Sequence, residues 1–304
     1  MAKIKAPQIK RTPGDIVFSF INGFFFTVFT LLCTFPIYYL FINTISDNRL
    51  VQAGQVNFYP RGVHFNNYVA LIEINELMNS AFISVARTVI GTIVMVLASA
   101  FIGYLITQSK MFARKFVYRF IIITMYFNAG LIPWYLNILM LGLTDNFLAY
   151  IIPAIVAPFN IILVKTYIES LPKELEESAF IDGAGYFTVF KSIILPLCKP
   201  ILATIAVFGA VGHWNSFMDS VILMDNPKLF TLQHRLMIYL QTASNLGNQM
   251  DNTGNISESA LEAALNSRVM SLTIAMASII PILMVYPFMQ RFFQKGLMMG
   301  AVKG

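Results

Sequence analysis

The chain has 304 residues, of which 57% are hydrophobic and only 12% charged, and it carries a formal net charge of +6. Soluble domains hold about 25% charged and 45–50% apolar residues, so a water-soluble globule is excluded; 17 glycines and 13 prolines likewise exclude collagen-like and low-complexity chains. Cys33 and Cys198 are too few for a disulfide framework or a cysteine-rich metal site.

Stretches without Asp, Glu, Lys or Arg cover residues 16–46, 88–109, 120–144, 146–164, 200–218 and 269–290, none shorter than 19 residues. A helix crosses the hydrocarbon core with about 20 residues. The expectation is an all-α integral membrane protein, one domain over residues 1–304, with six transmembrane helices. These fall at about 16–42, 79–108, 118–142, 146–168, 200–222 and 269–290. Pro36, Pro133, Pro153, Pro158, Pro281 and Pro287 lie inside the apolar stretches and read as kinks, since neighbouring helices in a bundle can re-satisfy freed carbonyls. The first span follows Lys3, Lys5, Lys10 and Arg11 but is far longer than a signal-peptide core, so it reads as an uncleaved helix.

Counting Lys and Arg in alternate loops gives fifteen on the side of the termini and six on the other. By the positive-inside rule both termini are cytoplasmic. The basic charge is thereby topological, and nucleic acid is not an expected partner. Outer loops then run over 43–78 and 225–268, with a capping-box helix near 259–265, and one long inner loop over 169–199. Both cysteines are expected to be free.

The inner loop reads as two short helices. Pro172 suits the first turn of one, Glu174, Glu176 and Glu177 complement its N-terminal dipole, and Gly183 and Gly185 stop it. Tyr186, Phe187, Phe190, Ile193 and Ile194 follow at helical spacing, and Pro196 ends the second before the fifth span. Exposed aromatic residues there call for a soluble partner.

Glu177-Ser178-Ala179-Phe180-Ile181-Asp182-Gly183-Ala184, followed by Phe190, Ile193, Leu195, Pro196 and Pro200, resembles the EAA loop of ABC importer permeases, with Ser178 in place of an alanine. Tyr59-Pro60-Arg61-Gly62, Asn67-Tyr68, Gly130-Leu131-Ile132-Pro133, Leu141-Gly142-Leu143 and the tail from Phe292 to Gly304 extend the resemblance to maltose-type (MalG-like) carbohydrate permeases. Gly130 to Tyr135 and Gly212 to Ser216 resemble a branch importing complex oligosaccharides. The resemblance implies a six-helix permease bundle and a bacterial cell-membrane location. It implies a second homologous permease, two ATPase subunits and an extracellular sugar-binding protein as partners. ATP and Mg²⁺ belong to the ATPases, and this chain binds no cofactor. It also implies that Glu177, Ala179, Asp182, Gly183, Ala184, Phe190, Ile193, Leu195 and Pro196 dock on the ATPase.

Trp134 and Trp214 each lie 15 residues from an inner-edge cation, Arg119 and Lys199, or about 22 Å along a helix. With Asn137, His213 and Asn215 they are candidates to line a sugar pathway, weighed against an aromatic belt. Arg87 lies 23 residues before Lys110, about 34 Å along a straight helix, at an outer boundary where it is expected to snorkel into water. The absence of a Gly-Lys dipeptide excludes a Walker A loop, no Gly-x-Ser-x-Gly elbow occurs, and His64, His213 and His234 offer no metal spacing. An enzyme is not expected. The competing readings are an ABC permease for a non-sugar solute such as a peptide, and a stand-alone secondary transporter, which needs an intramembrane carboxylate; Asp219 alone comes near that description.

Overall fold

The computed structural model describes residues 12–253 and 268–287, and every regular element among them is helical. The chain divides into two compact units, residues 1–67 and 68–304.

In the first unit α1 (Pro13–Thr44) starts at a capping box: Thr12 Oγ1 accepts from the Asp15 amide while the Asp15 carboxylate accepts from the Thr12 amide. Residues 12 to 36 are all exposed, Phe20 at 75%, and a helix apolar on every side belongs in hydrocarbon. Burial begins at Ile42, Asn43 and Thr44, where the chain folds back through α2 (Asn48–Gln52). The Tyr59–Gly62 turn pins that fold. Gly62 adopts φ +64, where a Cβ would stand 3.0 Å from that of Asp47, and the Arg61 carbonyl accepts from the Asp47 amide at 2.8 Å. α3 (Asn66–Glu73) follows, and Asn67 donates to the Thr44 carbonyl at 2.9 Å.

The second unit is organised around α4 (Asn75–Thr107), which packs chiefly against two later helices. α5 (Arg114–Tyr126) and α6 (Leu131–Met140) come next, then two 3₁₀ turns (Phe147–Tyr150 and Ile152–Ala154) and α7 (Pro158–Glu169). The inner loop holds α8 (Glu174–Ile181) and α9 (Tyr186–Val189). A π-helical turn (Phe190–Ile194) continues into α10 (Leu195–Leu197). Beyond it lie α11 (Lys199–Asn215), α12 (Met218–Leu223), α13 (Leu232–Thr253) and α14 (Arg268–Pro287). α4 meets α11 at Gly91 and α7 at Gly103. A Cβ on Gly91 would fall 2.5 Å from the His213 ring, and one on Gly103 3.1 Å from Val164. Close approach of the backbones is what packs helices where apolar surface alone gives no preference over lipid.

Among the described residues three helices, α1, α4 and α14, are long and apolar enough to cross a membrane unbroken. Two bent pairs raise the number to five: the 3₁₀ turns with α7, bent by 44°, and α9–α10 with α11, bent by 79°. Three of the expected spans are therefore not single helices. The third breaks at Asn128–Gly130, where Asn128 Oδ1 accepts from the Gly130 amide and Gly130 takes φ +89. The fourth breaks before Pro158, and the fifth at Ser216–Phe217. Pro133, Pro153 and Pro158 stand in first turns, where the missing amide costs nothing, and do not kink a continuous helix. The outer segment after residue 225, expected as a loop, carries the 22-residue α13; the helix expected near 259–265 and the tail from Phe292 lie outside the described residues. Cys33 is exposed and Cys198 buried, both free.

Candidate functional site: a polar cleft and an inner helical loop

α11 ends because Ser216 turns extended (φ −71, ψ 129), which leaves carbonyls unsatisfied in the middle of an apolar stretch. Arg87, reaching across from α4, fills that need. Its Nη1 donates to the Ser216 carbonyl at 3.1 Å and to Asp219 Oδ1 at 3.1 Å, and its Nη2 donates to Asp219 Oδ2. The guanidinium lies 4.5 Å over the Tyr150 ring. Asp219 Oδ1 also accepts from Ser216 Oγ and from the Ser220 amide. Arg87 is 2% exposed. The expectation of a snorkelling arginine is thus overturned: depth along a straight helix said where Arg87 sits, but not that a carboxylate and an open helix end would face it. A bidentate, stacked arginine is the form in which such a charge is tolerated in a dry interior.

The polar array continues beyond Asp219. The Tyr150 hydroxyl donates to the Leu229 carbonyl at 2.8 Å and stands 2.9 Å from Ser220 Oγ, which in turn lies 2.9 Å from His234 Nδ1. α13 is tied to α4 beside it by Leu232 N–H donating to Ser84 Oγ at 2.8 Å and by an Arg235–Glu76 ion pair at 2.9 Å. Burial, reinforced by Arg235, holds the His234 imidazole below its ordinary pKa.

Arg87, Tyr150, Ser216 and Asp219 border a cleft of about 340 Å³ whose walls also include Trp134, Asn160, Phe208 and His213. Asn160 Nδ2 lies 3.0 Å from Met95 Sδ. Of the five expected pathway residues, Trp134 and His213 line this cleft. Trp214 points elsewhere: its indole N–H donates to the Ser278 carbonyl of α14 at 2.9 Å, and its ring packs with Leu77, Leu232 and Ile274. Asn137 and Asn215 are exposed and border neither the cleft nor one another. Sequence reasoning singled out Arg87 but set it aside as a snorkelling residue, and it missed Tyr150 and Asn160. The available signal was the pair of opposite charges, Arg87 and Asp219, set at the edges of two apolar stretches.

In the inner loop, α8 closes with a Schellman motif. The Ala184 amide donates to the Ala179 carbonyl at 2.9 Å, the Gly183 amide to Phe180 at 3.1 Å, and Gly183 takes φ +83. Buried Ala179 and Phe190 anchor the loop, and Phe190 packs on Phe101 and Tyr104, each 5.4 Å between centroids. Gln108 Nε2 donates to Glu176 at 3.0 Å, which ties α8 to the end of α4. Of the expected docking residues, Glu177, Asp182, Gly183 and Pro196 are exposed, Ala184, Ile193 and Leu195 are half-buried, and Ala179 and Phe190 face inward. Ile181 at 86% and Phe187 at 67% exposure dominate the free apolar surface. Pro196 does not end the second helix; the chain stays helical through a π turn and bends at Cys198 between Pro196 and Pro200.

The family model described as binding-protein-dependent transport system inner membrane component matches residues 95–299. The polygalacturonan/rhamnogalacturonan transport system permease protein YtcP of Bacillus subtilis is 30% identical over 92% of this chain and 96% of its own. Protein LplC of the same organism is 31% identical over 97% of each. A crystal structure of a bacterial ABC transporter involved in the import of the acidic polysaccharide alginate contains a chain that superposes with a TM-score of 0.82. That chain is 29% identical, and the match covers 94% of this chain and all of that one.

Proposed function

Since the chain belongs to the family of inner-membrane components of binding-protein-dependent transport systems, we propose that it is a permease subunit through which an ATP-driven importer moves a sugar or oligosaccharide into the cytoplasm. The carbohydrate class is supported by what the relatives carry: polygalacturonan or rhamnogalacturonan in one, alginate in another. Residues 1–304 act as one permease domain with six spans, three of them broken, and both termini face the cytoplasm. The chain performs no catalysis; ATP and Mg²⁺ are handled by two ATPase subunits. A second homologous permease completes the pathway, and an external binding protein delivers the sugar.

The observation that carries this reading is the inner loop. It presents Glu177, Ile181, Asp182 and Phe187 outward on a turn fixed by Gly183, while Ala179 and Phe190 root it in the core that also holds α4 and α11. A partner that grips the exposed face moves the rooted helices with it. Driving a two-state bundle from 1:99 to 99:1 takes about 5.5 kcal/mol, which nucleotide binding between two docked ATPases can supply. Trp134 and His213 line the sugar path through the cleft. A secondary transporter is disfavoured by Asp219, whose carboxylate is consumed by Arg87 and two further hydrogen bonds and is not free to carry a proton or ion. The test is a tagged purification from the native host in mild detergent. An ATPase and a second permease should co-purify, and a folded chain isolated alone at normal abundance would refute the reading.

A further inference from the structure

The segment that joins α4 to α5 carries Lys110, Arg114, Lys115 and Arg119 within ten residues. Their arrangement is electrostatically costly as it stands. Lys115 and Arg119 are like charges four apart on one helix, and Arg114 and Lys115 crowd a helix N-terminus that already favours anions. No acidic residue lies in the first turn of α5, and among the described residues none of the four cations is in an ion pair. The carboxylate on the neighbouring α7, Glu169, is engaged by Lys165 at 2.8 Å, and Lys165 itself lies 4.3 Å over Tyr118 of α5.

Ser109, Arg114, Lys115, Phe116 and Arg119 wall an open hollow of about 620 Å³. Beside it Phe112 is 93% exposed and Phe116 70%, and Phe116 stacks on Phe120 with centroids 6.3 Å apart. Beyond Arg119 the sequence is free of charge for 25 residues, so the cations stand at a membrane boundary, with Phe112 and Phe116 interleaved among them. Cations interleaved with exposed aromatic side chains at such a boundary match a lipid whose headgroup is anionic and whose upper chains are apolar.

We propose that this hollow binds the headgroup of an anionic phospholipid of the inner leaflet, with Arg114, Lys115 and Arg119 on the phosphate and Phe112 and Phe116 against the glycerol and upper chains. The proposal rests on the orientation given under Proposed function. A water-soluble anion would find the cations but leave Phe112 and Phe116 without cover.

The test uses the transporter as purified with its co-purifying subunits, exchanged into an equimolar mixture of phosphatidylglycerol and phosphatidylcholine, with retained lipids counted by native mass spectrometry. The wild type should retain phosphatidylglycerol selectively. The combined variant Arg114→Gln/Lys115→Gln/Arg119→Gln should bind it about tenfold or more weakly, while Lys228→Gln/Arg268→Gln, the same kind of change on the opposite side, should not. A second measurement frees the test from the folding of the variant. Hydrogen exchange of the wild type over residues 109–119 should be slower in phosphatidylglycerol nanodiscs than in phosphatidylcholine nanodiscs, and inorganic phosphate should not reproduce the effect. Equal retention of the two lipids overturns the proposal. So does protection by phosphate alone, and so does loss of the ATPase from the triple variant with lipid selectivity intact. Loss of selectivity in the Lys228/Arg268 variant alone would overturn it by inverting the orientation. Absence of an ATPase from the wild-type preparation would count against the proposed function but leave the lipid readouts intact.

Discussion

At the residue scale the central feature is Arg87, whose charge is compensated by Asp219 and by the open end of α11. Removing one partner of a buried pair leaves the other uncompensated, which costs about 3–5 kcal/mol, whereas apolar replacement of both is often neutral. Asp219→Asn should therefore lower the thermal unfolding temperature of the detergent-purified protein sharply, and Arg87→Met/Asp219→Leu should recover most of the loss. Gly91 supports a second expectation. A methyl group there would collide with the His213 ring, so Gly91→Ala should destabilise by about 1–3 kcal/mol. In Gly91→Ala/His213→Ala the two effects should be strongly non-additive in the same melt, because the second change removes the obstacle. His234 gives a pH dependence. Its folded-state pKa lies below the ordinary 6.5 through burial, with Arg235 adding to the effect. The unfolded chain thus takes up a proton first as pH falls, so stability is full above 6.5 and declines as pH drops toward the folded-state value. His234→Gln should flatten that decline in melts recorded across the interval.

At the element scale the first helix and turn of residues 169–199 were legible, because their signals are chemical: glutamates in a first turn and a glycine where φ is +83. The expected stop at Pro196 was not, since the chain stays helical through it. Three of the expected spans, those of α1, α4 and α14, were legible as helices; the third, fourth and fifth were legible only as apolar stretches. Absence of charge reports affinity for hydrocarbon and is blind to backbone geometry, so the breaks at Gly130 and at Ser216–Phe217 left no mark in it. Proline suggested kinks at 133 and 158, yet proline is as content to open a helix as to bend one. α13 escaped because its sequence is polar enough to pass for a loop, and its start is set by contacts with α4 that no local pattern encodes. For the loop itself, Gly183→Pro removes the amide that closes the Schellman turn and forbids the positive φ. It should abolish uptake of labelled oligosaccharide while leaving membrane insertion intact, whereas Gly183→Asn, able to adopt the left-handed region, should keep much of it.

At the scale of the whole molecule, residues 12–36 of α1 and the outward face of α8 and α9 are exposed among the described residues, and the cleft is bordered by the Arg87–Asp219 charge pair. Such surfaces are what the proposed function asks of a subunit driven by a partner, and the chain belongs to a family of transport-system inner-membrane components. The central claim is that the exposed face of residues 169–199 is where that energy enters. The measurement that tests it most directly places a photo-crosslinking amino acid at Ile181, Phe187 or, as a control on the first outer segment, Phe58, followed by irradiation in native membranes and identification of the adducts. The account predicts an ATPase adduct from Ile181 and Phe187 and none from Phe58. ATPase adducts missing from both loop positions, in membranes where uptake proceeds normally, would contradict it.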